Sequence, residues 1–459
     1  MRRYREILLA ILWLSLITIN LVALYFPLRS NRTSGVHHDN RDIPNSGPIL
    51  VPSVKSTAVI NEDGSVHKKE EIVEKHIGGN YIKDNILVEL VSLEEDWEMK
   101  ELFNRTVQCP GTKRTIKFHR SYMDFESARI ADVVCVISGA APSTWRNLQE
   151  VRNPQQIWMF STAESAITSP PFPHRNQNGQ IIARGLHFNM SFGYHPKFEV
   201  YAPFGAYIPW TEQQRENLNI LKREISPKPQ IDAVGAWASS HCHYDYWNRT
   251  SFAHELAKHL PTDMFGDCGD KRLPRNTTGN NVLKKYKFYL AFENICCSFY
   301  ISEKFWTALA DYEAVPIVVG ASRAEYEKVA PPNSFIYADD FGSVQDLAGY
   351  VVRVANDDSL YQQYHEWRKH GYAEVYHSHR VFPYCDDKMA CKLLDYLEKN
   401  AWRPGRPLHM DMDLYGPDWV GSCNTCGQRE WMMDFNIKSK QFHGDFLQAL
   451  EKFSKIEHV

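Results

Sequence analysis

Residues 7–26 read ILLAILWLSLITINLVALYF, twenty consecutive positions without a charged side chain. At about 1.5 Å per residue, a helix of that length matches the ~30 Å hydrocarbon core of a bilayer. Arg2, Arg3 and Arg5 precede the run, whereas Pro27 and Leu28 follow it. Positive charge marks the cytosolic flank of a membrane span. The expectation is a cytosolic tail over residues 1–6, a transmembrane signal anchor over 7–26 and a lumenal remainder, the single-pass type II arrangement. A cleaved signal peptide fits less well, because the run is longer than an apolar h-region of about 7–15 residues and no small-x-small cleavage site follows it.

Two further features agree with a lumenal chain. Asn31, Asn104, Asn189, Asn248 and Asn276 each head an N-x-S/T triplet, the acceptor pattern for glycosylation in the secretory pathway. The cysteines number ten, an even set that suits an oxidising compartment. Cys423-x-x-Cys426 resembles half a zinc site, but no second C-x-x-C or H-x-x-x-H accompanies it, so a structural disulfide is the expected use. With 52 basic against 55 acidic residues and a net charge of -3, the chain has no basic footprint for nucleic acid, and none is expected as a partner. Residues 27–80 are polar, rich in Pro, Gly, Ser and Asn, and lack a sustained hydrophobic period. They read as an extended stem.

Beyond residue 80 the chain is long enough for two cores. Short apolar runs, ADVVCVIS at 131–138, QIWMF at 156–160 and FEVYAP at 198–203, are strand-like and separated by turns or helical stretches. REISPKPQ at 223–230 reads as a linker. A second series then opens with AVGAWA at 233–238, followed by strands at 287–292, 315–319 and 334–337 and a helix from Ser302 to Ala310. Strands alternating with helices imply parallel sheets whose ligands lie outside the carboxyl ends of the strands. No G-x-G-x-x-G is present, and Asp411-Met412-Asp413 lies in a Pro- and Gly-rich tail rather than at a strand end; an octahedral ion there would need further ligands.

The chemistry concentrates in YKFYLAFENICCSFYISEKFWTALADYEAVPIVVG, residues 286–320. A buried strand delivers Glu293 and Asn294 to its carboxyl end, and Ser302 stands where a helix N-cap is expected. Lys304 then falls in the first helical turn, where a cation opposes the macrodipole unless it shares an anion with it. Phosphate binding is the function that placement suggests.

These motifs resemble those of the α1,3/4-fucosyltransferases. The resemblance rests on F-E-N at 292–294, Y-I-S-E-K at 300–304, V-P-I-V-V-G at 315–320, S-F-I at 334–336 and D-F at 340–341. It extends upstream through AWASSH at 236–241, Arg249 and DMFGDCG at 263–269, covering most of residues 230–370. A looser likeness runs through WMFSTAESAITSPP at 158–171 and NMSFGYHPKFEVYAPFG at 189–205. Two departures stand out: His195-Pro196-Lys197 replaces an arginine-rich stretch, and Phe299 replaces an aspartate common before the donor-loop tyrosine. Both bear on the choice of acceptor.

The resemblance implies an α/β chain of two Rossmann-like domains facing a cleft, the GT-B type: an acceptor-side domain over 81–225, a GDP-fucose-binding domain over 230–375 and a helical, disulfide-bearing extension over 376–459. Cys385 and Cys391 join Cys423 and Cys426 as disulfide candidates. The implied reaction transfers L-fucose from GDP-fucose in α1,3 linkage, with inversion. Glu164 would be the general base, Arg249 and Lys304 would neutralise the departing phosphate, and Glu303 would grip the ribose. Tyr300, Glu293, Asn294 and Lys287 would line the donor pocket. No metal is essential to such a site, and Mn2+ or Mg2+ is expected at most to stimulate. The preferred acceptor is the core GlcNAc of an N-glycan, because the tail beyond residue 402 resembles that of core-acting members. The alternative is the GlcNAc of an outer, Lewis-type antenna, and a different class of reading is a catalytically silent glycan-binding protein of the same fold. The implied location is the Golgi membrane.

Overall fold

The computed structural model describes residues 55–60, 66–71, 85–92, 104–122, 125–136, 142–153, 156–168, 188–216, 228–242, 246–274, 278–376, 386–401, 408–414 and 416–436. The expected anchor at 7–26, the sequons at Asn31 and Asn276, and Cys385 lie outside them. Among the described residues, no helix is long and apolar enough to cross a membrane. The chain divides into two compact units, Met1–Gly78 and Gly79–Val459.

In the first unit, β1 (Lys55–Ile60) pairs antiparallel with β2 (Val66–Glu71). These strands fall within the segment read as an extended stem. Asp63-Gly64 between them is a hairpin turn signal that the linker reading passed over.

The second unit opens with β3 (Asn85–Ser92), β4 (Asn104–Gln108), β5 (Thr115–Tyr122), α1 (Phe125–Ile130), β6 (Val133–Val136), α2 (Pro142–Val151), β7 (Ile157–Thr162), β8 (Met190–Gly193) and β9 (Val200–Tyr201). The strands form one sheet in the order β4-β5-β3-β6-β7-β8-β9, parallel throughout except where β4 meets β5. All six residues of β7 are buried, as befits a strand covered on both faces. β10 (Gly205–Pro209) leaves this sheet.

A five-stranded, wholly parallel sheet follows. It contains β11 (Gly235–Ala238), α3 (Arg249–Ala257), β12 (Thr262–Phe265), β13 (Phe288–Phe292), α4 (Glu303–Ala310), β14 (Val315–Val319), α5 (Arg323–Val329), β15 (Ile336–Tyr337) and α6 (Val344–Asn356), with strand order β12-β11-β13-β14-β15. β13 and β14 are buried at every position. β16 (Gly371–Val375) then returns to pair antiparallel with β10, and α7 (Asp387–Tyr396) follows. One apolar cluster runs from β6–β8 through Tyr300, Trp306 and Leu393 to Trp419, so a single core touches both sheets. A second cluster lies between the five-stranded sheet and α3, α6 and Trp247.

Among the described residues, four disulfides tie this unit together. Cys109–Cys391 fastens the loop after β4 to α7, and Cys242–Cys268 joins the loops after β11 and β12. Cys423 and Cys426 are both in disulfides, as expected, and each has a separate partner: Cys296 pairs with Cys426 and Cys297 with Cys423. The adjacent pair after β13 thus staples the C-terminal tail onto the loop that leads to Tyr300. The bridges close loops with sequence separations of 130 and 126, long enough to restrict the unfolded chain strongly. Because the two bridges close nearly the same loop, that restriction is lost only when both are removed, and changing Cys296, Cys297, Cys423 and Cys426 together to Ser is expected to cost about 2–4 kcal/mol of stability. Denaturant unfolding without reductant measures this, and an unchanged midpoint would refute it.

Candidate active site

In the five-stranded sheet the strand order reverses between β11 and β13, with β12 on one side and β14 and β15 on the other. Such a switch point opens a crevice at the carboxyl ends of the two strands. Arg249 stands there, buried at the first position of α3. Its guanidinium donates to the carbonyl of Phe292, the last residue of β13, at 3.4 Å. It also donates to Ser239 Oγ and the His241 carbonyl, both just beyond β11 and both at 3.3 Å. One cation therefore spans the crevice between both strand ends.

β13 delivers Glu293 to the same edge, and its carboxylate is wholly buried. It accepts from Ser302 N and Ser302 Oγ, each at 2.8 Å, and lies 3.4 Å from Lys304 Nζ. Trp247 Nε1 donates to the Glu293 carbonyl at 2.9 Å. Glu293 is therefore committed to fixing the start of α4 rather than lining a pocket, which corrects its expected donor contact. Ser302 is the N-cap residue, but its side chain caps nothing; the hydroxyl is spent on Glu293 and accepts from Lys304 Nζ at 3.0 Å. Gly320, after β14, packs against this group: a Cβ there would lie 2.9 Å from Glu293 Cγ and 2.9 Å from Tyr326 Oη. Gly320→Ala should destabilise the fold by about 1–3 kcal/mol; unfolding at equilibrium tests it.

Lys304, about a quarter exposed, also pairs with Glu303 at 3.0 Å. Burial works against its charge, yet Glu303 and then Glu293 hold its proton above the ordinary lysine value. The ammonium stays charged across the neutral range.

Glu164 comes from the other sheet, just past the carboxyl end of β7. Thr162 Oγ1 accepts from its backbone N–H at 2.9 Å. Its Oε2 receives Thr168 Oγ1 at 3.4 Å and the Tyr300 hydroxyl at 3.5 Å. The side chain opens to solvent while protein crowds its other sides. That desolvation raises the carboxyl pKa; Lys304 opposes the rise and Glu303 adds to it. Tyr300 is buried and held against Tyr194, with ring centroids 5.2 Å apart. Its expected place in the donor pocket gives way to contact with Glu164. Phe299 precedes it at φ 55, a conformation few non-glycine residues adopt, and this turn directs Tyr300 toward Glu164.

The structure thus brings Glu164, Arg249, Tyr300, Glu303 and Lys304 to one place, where the carboxyl ends of both sheets meet. Asn294 follows Glu293 at the end of β13, and its Oδ1 is buried with no hydrogen-bond partner among the described residues. Lys287 is not part of the group. It precedes the opposite end of β13, where its Nζ donates to the Ala355 carbonyl at 2.6 Å and reaches Asp358 at 3.3 Å. Lys287→Ala is accordingly expected to leave turnover and donor affinity within about twofold, since surface changes away from a site are near-neutral; a tenfold loss in either would restore it to the pocket.

Several contributors escaped the sequence reading. Tyr194 and Trp247 reach Tyr300 and Glu293 from remote segments, and Thr168 and Ser239 bond Glu164 and Arg249 from nearer in the chain with no local pattern that marks them. The adjacent Cys296 and Cys297 were visible, and a second close cysteine pair in the tail was the signal for their double staple. Among the sequons, Asn189 is half-buried: its Oδ1 accepts from Trp158 N at 2.8 Å and its Nδ2 donates to the Leu408 carbonyl at 3.4 Å. Asn248 is exposed and caps α3 by accepting from Ser251 N at 3.2 Å. Asn104 lies in β4. Among the described residues no group of three or more His, Cys, Asp or Glu could hold a metal ion.

Comparison with known proteins finds a match in the same segment. The profile described as "Glycosyltransferase family 10 (fucosyltransferase) C-term" matches residues 228–407. The chain is 37% identical over 225 residues to the human 4-galactosyl-N-acetylglucosaminide 3-alpha-L-fucosyltransferase FUT5, covering 49% of this chain and 55% of that protein. It is 37% identical over 190 residues to the chimpanzee (Pan troglodytes) 3-galactosyl-N-acetylglucosaminide 4-alpha-L-fucosyltransferase FUT3, covering 41% and 48%. The chain spans about half the length of the curated relatives it matches. A crystal structure of an alpha1,3-fucosyltransferase with GDP-fucose is similar at 17% identity and a TM-score of 0.41, over 72% of this chain and 94% of that one.

Proposed function

We propose, from the premise that residues 228–407 form a glycosyltransferase family 10 (fucosyltransferase) domain, that this chain transfers L-fucose from GDP-fucose to a GlcNAc-containing glycan, in α1,3 or α1,4 linkage and with inversion. The observation that carries the reading is the meeting of a carboxylate from one sheet with two cations at the switch point of the other. In the family's reaction the bond to the β-phosphate breaks and negative charge grows on GDP while the sugar becomes cationic. Arg249 and Lys304 are preorganised to stabilise that charge. Glu164 takes the proton from the acceptor hydroxyl as it attacks the opposite face of the fucose, and a single displacement inverts the anomeric centre. Glu303 and Asn294 are the donor-side contacts for the ribose and nucleotide. The two Rossmann-like sheets accord with a GT-B arrangement. The fixed cations supply charge neutralisation themselves, so transfer is expected to persist when divalent ions are chelated.

The acceptor reading shifts. The relatives are named for galactosyl-N-acetylglucosaminide acceptors, which favours the outer-antenna GlcNAc over the N-glycan core. We propose the antenna acceptor ahead of the core, together with a lumenal active domain on a type II Golgi anchor. The deciding experiment incubates the full chain with GDP-fucose, galactosyl-GlcNAc oligosaccharides and trimmed N-glycans, and reads products by mass and linkage. Fucosylated galactosyl-GlcNAc, with inhibition by GDP but not UDP, is the expected result. Transfer to the core alone would reverse the acceptor order. No transfer to any acceptor would favour a silent glycan-binding protein.

A further inference from the structure

Beside the candidate active site lies a cavity of about 690 Å³, within the range of about 300–1,000 Å³ typical of ligand pockets. Its wall is built by the turn after β8 with Tyr201 of β9, the loop before α4, the end of α5 at Lys328 and Val329, and the tail at Pro417, Asp418 and Ser422. The β8–β9 stretch and the tail lie outside the matched family segment, 228–407. The tail is held in place by the Cys297–Cys423 and Cys296–Cys426 bridges, so this wall is covalently fixed to the loop carrying Phe299 and Tyr300.

The lining combines an apolar surface with charged groups. Phe299 and His195 meet edge to face, with centroids 5.5 Å apart. Burial, helped by Lys197, lowers His195 to about 4, so the ring is neutral at ordinary pH. Lys328 Nζ lies 5.6 Å from the Phe299 ring. Lys197 Nζ and Asp418 Oδ1 form an ion pair at 2.7 Å, with both side chains more than half exposed. An aromatic face suits the C–H face of a pyranose, and a paired donor and acceptor suits neighbouring hydroxyls. The position is equally specific. His195 and Phe299 line the cavity, while the residues next to them, Tyr194 and Tyr300, pack together behind Glu164.

We infer that this cavity is an acceptor subsite: it holds a neutral sugar residue adjoining the one that is fucosylated, stacked on Phe299 and hydrogen-bonded by Lys197 and Asp418. The inference rests on the proposed fucosyl transfer and names what would distinguish long acceptors from short ones. It assigns selectivity to the turn after β8 and to the stapled tail.

The test compares the methyl glycoside of GlcNAc with a galactosyl-GlcNAc tetrasaccharide as acceptors for the full chain. The variant used changes only the exposed rim, Lys197→Ala with Asp418→Ala. It is expected to raise KM for the tetrasaccharide about tenfold, leaving kcat, KM for the monosaccharide and KM for GDP-fucose unchanged. An unchanged tetrasaccharide KM, or an equal rise for both acceptors, overturns the subsite. Calorimetric binding of the tetrasaccharide without donor separates the two readings. If the wild type binds it and the rim variant does not, the subsite stands even where no fucose is transferred. Absence of transfer alone counts against the proposed function, and equal binding by wild type and variant counts against the subsite.

Discussion

Glu164→Gln is expected to lower kcat by about 100- to 10,000-fold, the span that general base catalysis contributes, with little change in KM for GDP-fucose. The amide keeps the shape of the side chain but cannot accept the acceptor's proton. The pH profile supplies the sharper test. A base works when deprotonated, so rate is lost as pH falls through its pKa. Burial raises the Glu164 carboxyl above the ordinary value of about 4.3, and the acidic limb of kcat/KM should therefore lie above that value. The Tyr300 hydrogen bond favours the ionised form, so Tyr300→Phe should move the limb further up, where a merely structural tyrosine would lower kcat without shifting it. Lys304 is held charged and contributes no acidic limb. A limb at the ordinary carboxylate value, or a Glu164→Gln enzyme with wild-type turnover, would remove Glu164 from the mechanism.

Removing the phosphate-side charge should be nearly as damaging. Lys304→Met and Arg249→Met are each expected to lose about 100- to 1,000-fold in kcat, the size of effect seen when one preorganised stabilising group is deleted. Lys304 also has a structural duty. It balances the buried Glu293 carboxylate at 3.4 Å, and stripping a buried charge of its partner costs about 3–5 kcal/mol. The two roles separate in the double variant Glu293→Gln with Lys304→Met. A neutral amide at 293 no longer needs the cation, so stability should recover while turnover does not. Recovery of both would reduce Lys304 to a structural ion. Steady-state kinetics with GDP-fucose and thermal unfolding of the same samples decide between these outcomes.

The donor side of the site was legible because its residues are close together in the chain. A strand, its carboxyl-end Glu293 and Asn294, and the helix bearing Glu303 and Lys304 all fall within 286–320, and the burial of β13 and β14 follows directly from their unbroken apolar runs. What each residue does within that stretch was less legible. Lys287 and Glu293 flank one strand, which already puts them at opposite ends, but period and charge alone could not say that Glu293 is sealed beneath α4 while Lys287 is spent on Ala355 and Asp358. The stem reading likewise missed β1 and β2, whose turn signal sits among polar residues.

The sequence by itself determined the alternating α/β character, the position of the crevice-forming strands and the residue types able to handle a phosphate and a proton, because these depend on local periodicity and short spacings. Only the tertiary structure decided which groups work together. Glu164 and Tyr300 are separated by 136 positions yet share a hydrogen bond. Cys423 and Cys426, neighbours in the chain, pair apart. The tail closes a cavity beside a loop more than a hundred residues upstream. The physical reason is common to all three: buried polar groups and thiols must find partners, and a packed core brings those partners from wherever the strand order places them.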